Sequence, residues 1–200
     1  VWVSKPSFVS FITPSKGRSS LEKTIQSLLD LKDWNWLSYI VFDGVDPITI
    51  KCVDYLNDNH FIVSKVDKIG HAGLVRNTVL DRIETVWTAF LDDDDFLKDT
   101  YIHKLREYSS KNPELDIIIF TYKDMTNGNT QPPKGTVNFI CCQVGISFAI
   151  KTEFIKKYDI RFPPGGVEDF AFLDTCRSLG AKYLVTNDLQ YYVGKRSAWD

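Results

Sequence analysis

The sequence predicts an α/β domain with a mainly parallel central sheet flanked by helices and a smaller antiparallel part in the second half. Three observations carry this. Short apolar β-type runs alternate with segments of helical spacing through the first half, the pattern of a parallel sheet covered on both faces. A length of 200 residues with 44% apolar content is enough for one substantial core. The second half then loses the alternation and turns richer in Gly, Pro and Asn.

The elements follow in order. Phe8 to Ile12 is a buried strand. Ser19 with Glu22 makes a capping-box pattern, and Leu21, Ile25, Leu28 and Leu29 continue it at helical spacing. Tyr39 to Phe42 is a second strand, ending at Asp43-Gly44, and a helix is expected around Ile48 to Leu56. Phe61 to Val66 is a third strand, and Ala72, Val75, Val79 and Ile83 mark one face of the next helix. Val86 to Leu91 is the fourth strand, followed by a helix from about Asp99 to Tyr108 and a fifth strand, Ile117 to Thr121. Lys123 to Gly135 is polar, a loop or hairpin tip with the composition of a lid. Thr136 to Ile150 should hold one or two strands, and Thr152 to Tyr158 a short helix. Pro163-Pro164-Gly165-Gly166 forms a turn, and a helix from Glu168 to Leu179 ends at Gly180 as its cap. Tyr183 to Val185 and Leu189 to Val193 read as late strands before a basic tail with Lys195 and Arg196.

Chemistry concentrates behind the fourth strand, where Asp92 to Asp95 are consecutive. Two full charges about 5 Å apart repel by roughly 3 kcal/mol at an effective dielectric near 20. Two readings fit the run. One is a divalent-cation site, for which oxygen-only ligands favour Mg²⁺ or Mn²⁺, at the carboxyl end of a strand where open α/β sheets bind ligands. The other is a solvated acidic loop before a helix. A calcium loop of EF-hand type does not fit, because its positions six and twelve would be Leu97 and His103. Walker-type and G-x-G-x-x-G phosphate loops are absent. Thr13, Lys16 and Arg18 after strand one, Asp43 after strand two, and Arg76-Asn77 in the helix before strand four would converge on one edge of a parallel sheet. There Arg or Lys can pair with phosphate. Taken singly, each also fits an ordinary surface or turn residue.

In these motifs the chain resembles the GT-A glycosyltransferases, specifically the large inverting family 2, over about residues 8 to 193. Ile12-Thr13-Pro14-Ser15-Lys16-Gly17-Arg18 resembles the first strand and its loop, and Val41-Phe42-Asp43-Gly44 the strand-two end. Arg76-Asn77 resembles the pair before the central strand. Phe90-Leu91 with Asp92 to Asp95 resembles the DxD region, and Gly166-Val167-Glu168-Asp169 the Glu-Asp motif. The resemblance implies an inverting, hexosyltransferase-type enzyme using a UDP-sugar donor, Mn²⁺ or Mg²⁺, and a glycan or other hydroxyl acceptor. It implies Asp169 as catalytic base and Glu168 beside it on the acceptor side. Asp94 and Asp92 would hold metal. Thr13, Arg18, Asp43, Arg76, Asp92 and Asp93 would bind the nucleotide-sugar, with Asp93 or Asp95 able to share the aspartate roles. Many relatives place a late His near the metal; no His follows His103 here, so Lys195 and Arg196 would bind the nucleotide-sugar, steadying its diphosphate instead. The strand-two motif is shorter than the usual Asp-Asp-Gly-Ser form. The rival readings are a non-catalytic nucleotide-sugar or glycan-binding module of the same fold, and a nucleotidyltransferase, whose glycine loop is missing.

The domain expectation is one unit over 1–200, with a nucleotide-sugar half at 1–121 and an acceptor-side half at 122–200. Acceptor contacts would come from the 123–135 loop, His71 or Trp199. Trp34, Trp36 and Trp199 fit either sugar stacking or core and interface packing. The net charge of −2 gives no footprint for nucleic acid. The four cysteines lack zinc spacing and read as buried, reduced thiols of a cytosolic-type environment. No apolar run approaches membrane-spanning length. The expectation is therefore a cytoplasmic domain, with any membrane association through segments outside this chain. The first residue is Val, which suggests a processed product or a piece of a longer protein.

Overall fold

The computed structural model describes residues 7–49 and 53–194. Among them runs a nine-stranded sheet in the order β3-β2-β1-β4-β8-β6-β9-β5, with β7 beside β6. The strands are β1 Val9–Ser15, β2 Trp36–Asp43, β3 Phe61–Val66, β4 Trp87–Phe90, β5 Phe96–Leu97, β6 Ile117–Asp124, β7 Thr130–Gln131, β8 Phe148–Lys151 and β9 Tyr183–Val193. The pairs β1–β2, β2–β3, β1–β4 and β6–β9 are parallel, while β8, β7 and β5 run against their neighbours. The sheet is thus mainly parallel, and its antiparallel pairs belong to the second half of the chain apart from β5 and β4.

All residues of β1 and β4 are buried, as expected of central strands covered on both faces. Helix α1, Leu21–Leu29, buries Leu21, Ile25 and Leu28. Helix α3, Tyr101–Lys111, buries Tyr101, Ile102 and Leu105, and the Tyr101 ring meets Phe120 at 4.8 Å between centroids. Helices α4, Thr152–Tyr158, and α5, Glu168–Ser178, follow β8. Phe90 of β4, Phe162 and Phe172 of α5 form one aromatic cluster, with Phe162 stacked on Phe172 at 4.3 Å and edge-on to Phe90 at 5.0 Å. This cluster fixes the start of α5 against the end of β4.

Several expectations are corrected. The segment expected as a helix from Ile48 to Leu56 forms 3-10 turns at Pro47–Thr49 and Val53–Asn57. Asp46 explains the first: its carboxylate accepts the Ile48 N–H at 3.1 Å and its carbonyl accepts the Thr49 hydroxyl at 2.7 Å, local bonds that compete with a helix. The next helix, α2, spans only Ala72–Asn77 before a 3-10 turn at Leu80–Arg82. Val75, Val79 and Ile83 are buried as the spacing required, whereas Ala72 is exposed. The Ser19 capping box does not form; Ser20 occupies the N-cap without a side-chain bond. The two late strands are one strand, β9, while the 136–150 segment holds one strand, β8, within the one or two expected. The polar 123–135 segment is a hairpin, Lys123 pairing with Thr130 and Tyr122 with Gln131. Gly180 does end α5, at φ +87°. Trp36 is buried, and Trp34 stacks on it while 52% exposed; Trp199 lies outside the described residues. Cys176 is buried, but Cys141 and Cys142 are exposed and unbridged, their Sγ atoms 3.5 Å apart; Cys52 lies outside the described residues. No helix among the described residues is long and apolar enough to cross a membrane.

Candidate active site

β1 and β4 lie side by side in parallel register, Ile12 opposite Phe90, and the Leu91 N–H continues the ladder to the Ile12 carbonyl at 3.1 Å. Whatever follows the two strands must therefore emerge together. The Ser15-Lys16-Gly17-Arg18 loop meets the four aspartates, which form a turn closed by the Asp95 N–H on the Asp92 carbonyl at 3.1 Å.

The turn sends the four carboxylates to different partners. Asp93 points to the β1 loop and accepts the Ser15 hydroxyl at 2.8 Å and the Lys16 N–H at 3.0 Å. Asp95 points to β9, accepting the Tyr191 hydroxyl at 2.7 Å and the Gly194 N–H at 2.8 Å. Asp94 pairs with Arg18 at 3.0 Å, and Asp92 with Arg76. Among the described residues, ligand atoms of Asp92, Asp94 and Asp95 come within 4.8 Å of one another.

Burial and mutual repulsion act together on the carboxylates around that point. Burial pushes the Asp95 carboxyl well above its ordinary range, and the charge on Asp92 adds to the push; the bonds from Tyr191 and Gly194 oppose it, and Asp94 raises it further. Burial also raises Asp93 against its bond from Ser15. A hard cation among these oxygens would reverse the repulsion, so the donor set fits Mg²⁺ or Mn²⁺.

Arg76 is the structural centre of the site. Its side chain is 1% exposed and forks between Asp92 on one side and Glu168 Oε1, at 2.7 Å, on the other. Asp169 Oδ1 lies 3.8 Å from the same guanidinium. Burial alone would lower the Arg76 pKa; Asp92, Asp169 and Glu168 more than reverse this and hold it raised. The Phe162 ring lies 5.1 Å from its Cζ. Arg76 thus joins the end of β4 to the start of α5. A cleft of about 510 Å³ opens beside it, with Asp92, Asp95, Tyr122, Val144, Asp169 and Phe170 among its lining.

Gly194 is where the backbone approaches most closely: a Cβ there would lie 1.8 Å from the Asp94 carbonyl oxygen. Gly194→Ala must push the end of β9 off the aspartate turn. Overpacking of this kind costs about 1–3 kcal/mol, a fall in Tm of roughly 2–12 °C for a domain of this size. An unchanged melt, read by circular dichroism, would show that the turn yields freely.

Of the residues expected at the site, Arg18 pairs with Asp93 and Asp94, and Arg76 with Asp92, Glu168 and Asp169, the two sets meeting at the aspartate turn. Asp43 sits at the end of β2 and accepts the Ile69 N–H at 2.5 Å and the Gly70 N–H at 2.8 Å, so it shapes the loop before α2. A carboxylate has further lone pairs for a base contact. Thr13 is fully buried in β1, its hydroxyl without a hydrogen-bond partner among the described residues. Ser15, on the same strand face, is the hydroxyl that reaches the aspartates. Lys195 and Arg196 lie outside the described residues. Sequence reasoning missed Tyr191 and Gly194, whose contacts with Asp95 span 96 and 99 positions and leave no local signal.

Three structures of S. aureus TarS share the fold. Residues 1–349 of TarS match at TM-score 0.80 and 22% identity, covering 94% of this chain and 60% of that one. The same fragment in complex with UDP-GlcNAc matches at TM-score 0.82 and 21% identity, covering 96% and 59%. In complex with UDP it matches at TM-score 0.80 and 21% identity, covering 94% and 60%. This chain therefore spans about 60% of that TarS fragment, and the architecture is the GT-A fold. No curated protein matches the chain. The family model "Glycosyl transferase family 2" matches residues 10–169, most of the sequence and every motif from β1 to the start of α5, and the chain belongs to that family.

Proposed function

We propose that this domain transfers a sugar from a nucleoside-diphosphate sugar, UDP-linked by preference, to an acceptor hydroxyl with inversion at the anomeric carbon. The observation that carries the reading is that Asp169 and Asp92 both line one cleft and both face buried Arg76. Asp92 and Asp94 would hold Mn²⁺ or Mg²⁺. When bound, the cation supplies Lewis-acid stabilisation to the departing diphosphate. Arg18, beside Asp94, is placed to pair with phosphate oxygens. Asp169 takes the acceptor proton as the acceptor oxygen bonds to the anomeric carbon, and the bond to the diphosphate breaks with its electron pair on the nucleotide. One base and one displacement give inversion. TarS binds UDP-GlcNAc and UDP, which supports UDP as nucleotide. Residues 1–121 would serve the donor and 122–200 the acceptor, a glycan or another hydroxyl compound. Exposed, unbridged Cys141 and Cys142 fit a reducing, cytoplasmic setting.

The test is calorimetric titration of UDP and GDP with Mn²⁺ and with a chelator, followed by UDP release from UDP-GlcNAc. UDP is expected to bind in the presence of Mn²⁺, and the chelator should remove most of that binding. Asp94→Ala should weaken Mn²⁺-dependent UDP binding by at least about tenfold, as for loss of a residue supporting a metal. UDP binding without turnover would favour a binding module. Binding that ignores both chelator and Asp94→Ala would remove the cation from the scheme.

A further inference from the structure

Helix α2 grips the segment that precedes Asp169 at three points. Asn77 clamps Phe162, donating to its carbonyl at 2.9 Å and accepting its N–H at 2.9 Å. Arg76 holds Glu168. His71, the residue before the helix, supplies the third point: its Nε2 accepts the Gly165 N–H at 2.8 Å, and its Nδ1 lies 3.0 Å from Glu168 Oε2. Nδ1 has no aligned hydrogen-bond partner among the described residues, so the carboxylate is the group it faces. Gly73 closes the gap beneath, since a Cβ there would lie 2.8 Å from Phe162 Cβ and 3.1 Å from Glu168 Cδ.

Between these anchors the chain is Pro163-Pro164-Gly165-Gly166, with Gly165 at φ +134°, a conformation side chains rarely adopt. A loop with two glycines does not hold one shape unaided. The imidazole fits the need. In its neutral form one ring nitrogen accepts and the other donates, at fixed separation. Gly165 turns both its N–H, at 2.8 Å, and its carbonyl oxygen, at 3.2 Å, to Nε2; the shorter N–H contact and the acceptor-only carboxylate facing Nδ1 favour the Nδ1–H tautomer.

We propose that His71 is a positioning residue: it locks the 163–166 loop onto α2 and so sets where Asp169 stands in the cleft. This rests on the reading of Asp169 as base. The described contacts of His71 are with Gly165 and Glu168, so its effect on Asp169 passes through them. A base displaced by about 1 Å loses on the order of 100-fold in rate.

The experiment compares His71→Ala, His71→Gln and Asp169→Asn, singly and with His71→Ala combined with Asp169→Asn. UDP release from UDP-GlcNAc with Mn²⁺ gives kcat and KM, calorimetry gives UDP affinity, and hydrogen exchange follows the Gly165 amide. His71→Ala should lower kcat roughly 10- to 100-fold with donor KM and UDP affinity nearly unchanged, and should speed exchange at Gly165. His71→Gln, whose carbonyl can accept from Gly165, should recover most of both losses. In the Asp169→Asn background His71→Ala should add nothing. Wild-type kcat or unchanged Gly165 exchange in His71→Ala would overturn the proposal, as would additive losses or parallel loss of UDP affinity. If Asp169→Asn itself turns over normally, or the wild-type chain releases no UDP, the underlying reading has failed; the Gly165 exchange result still decides whether His71 holds the loop.

Discussion

Asp169→Asn is expected to abolish most turnover and leave donor binding intact. Asparagine matches aspartate in shape but cannot take up the acceptor proton. General-base catalysis contributes typically 10²–10⁴-fold, so kcat for UDP release should fall by roughly that factor, while Mn²⁺-dependent UDP affinity stays within about twofold of wild type, a base acting on the rate and not on ground-state donor binding. The neighbouring carboxylate is not an equal candidate. Both oxygens of Glu168 are engaged, Oε1 by Arg76 at 2.7 Å and Oε2 by His71 at 3.0 Å. Asp169 lines the cleft, and Glu168 is not among its lining residues. Glu168→Gln should therefore act mainly through loop geometry, as a smaller loss that Asp169→Asn masks in the double variant. Retention of more than a tenth of wild-type kcat by Asp169→Asn would move the base elsewhere. The measurement needs only UDP release and a calorimeter, and it separates chemistry from binding in one pair of numbers.

How much of this was legible in the sequence follows the range of the interactions. The four strands β1 to β4 are apolar runs whose burial is a local property, and their places were readable. The parallel pairing of β1 with β4 then dictated that residues after Ile12 and after Phe90 meet, which is why the Arg18 side of the site could be anticipated. What four consecutive aspartates do individually could not. Asp93 is claimed by Ser15 and Asp95 by Tyr191, and those choices depend on strands 78 and 96 positions away. The two-residue strand β5 left no pattern of its own, because its pairing is to Tyr191 and Tyr192 of β9. The shortening of α2 has a local cause that apolar spacing hides: the Thr78 hydroxyl bonds back to the Val75 carbonyl at 2.7 Å, and Asn77 spends its amide on Phe162. Thr13 is buried within β1 two residues before Ser15, the hydroxyl that reaches the aspartates.

Arg76→Met should have the largest effect on stability. The guanidinium is 1% exposed and faces Asp92, Glu168 and Asp169. Methionine fills much of its volume and packs on Phe162, so the loss is electrostatic, not steric. Removing one partner of a buried ion pair costs about 3–5 kcal/mol, equivalent to a Tm lower by roughly 6–20 °C for a domain of this size. That is survivable at 25 °C against a typical stability of about 10 kcal/mol or more. Two further results would identify the cause. Loss of the guanidinium removes a charge that favours the ionised carboxylates, so the folded variant binds protons more readily than the folded wild type. The deficit is then full at neutral pH and shrinks as pH falls into the carboxylate range. Adding Glu168→Gln to Arg76→Met removes one uncompensated charge and should recover part of the lost Tm. Thermal melts of the single and double variants at pH 5 and pH 8 read both. A deficit independent of pH and untouched by Glu168→Gln would mean that Arg76 holds the site by packing alone. In that case the link between the end of β4 and the start of α5 would be the Phe90–Phe162–Phe172 stack, and the charges at the cleft would be free to answer to metal and donor.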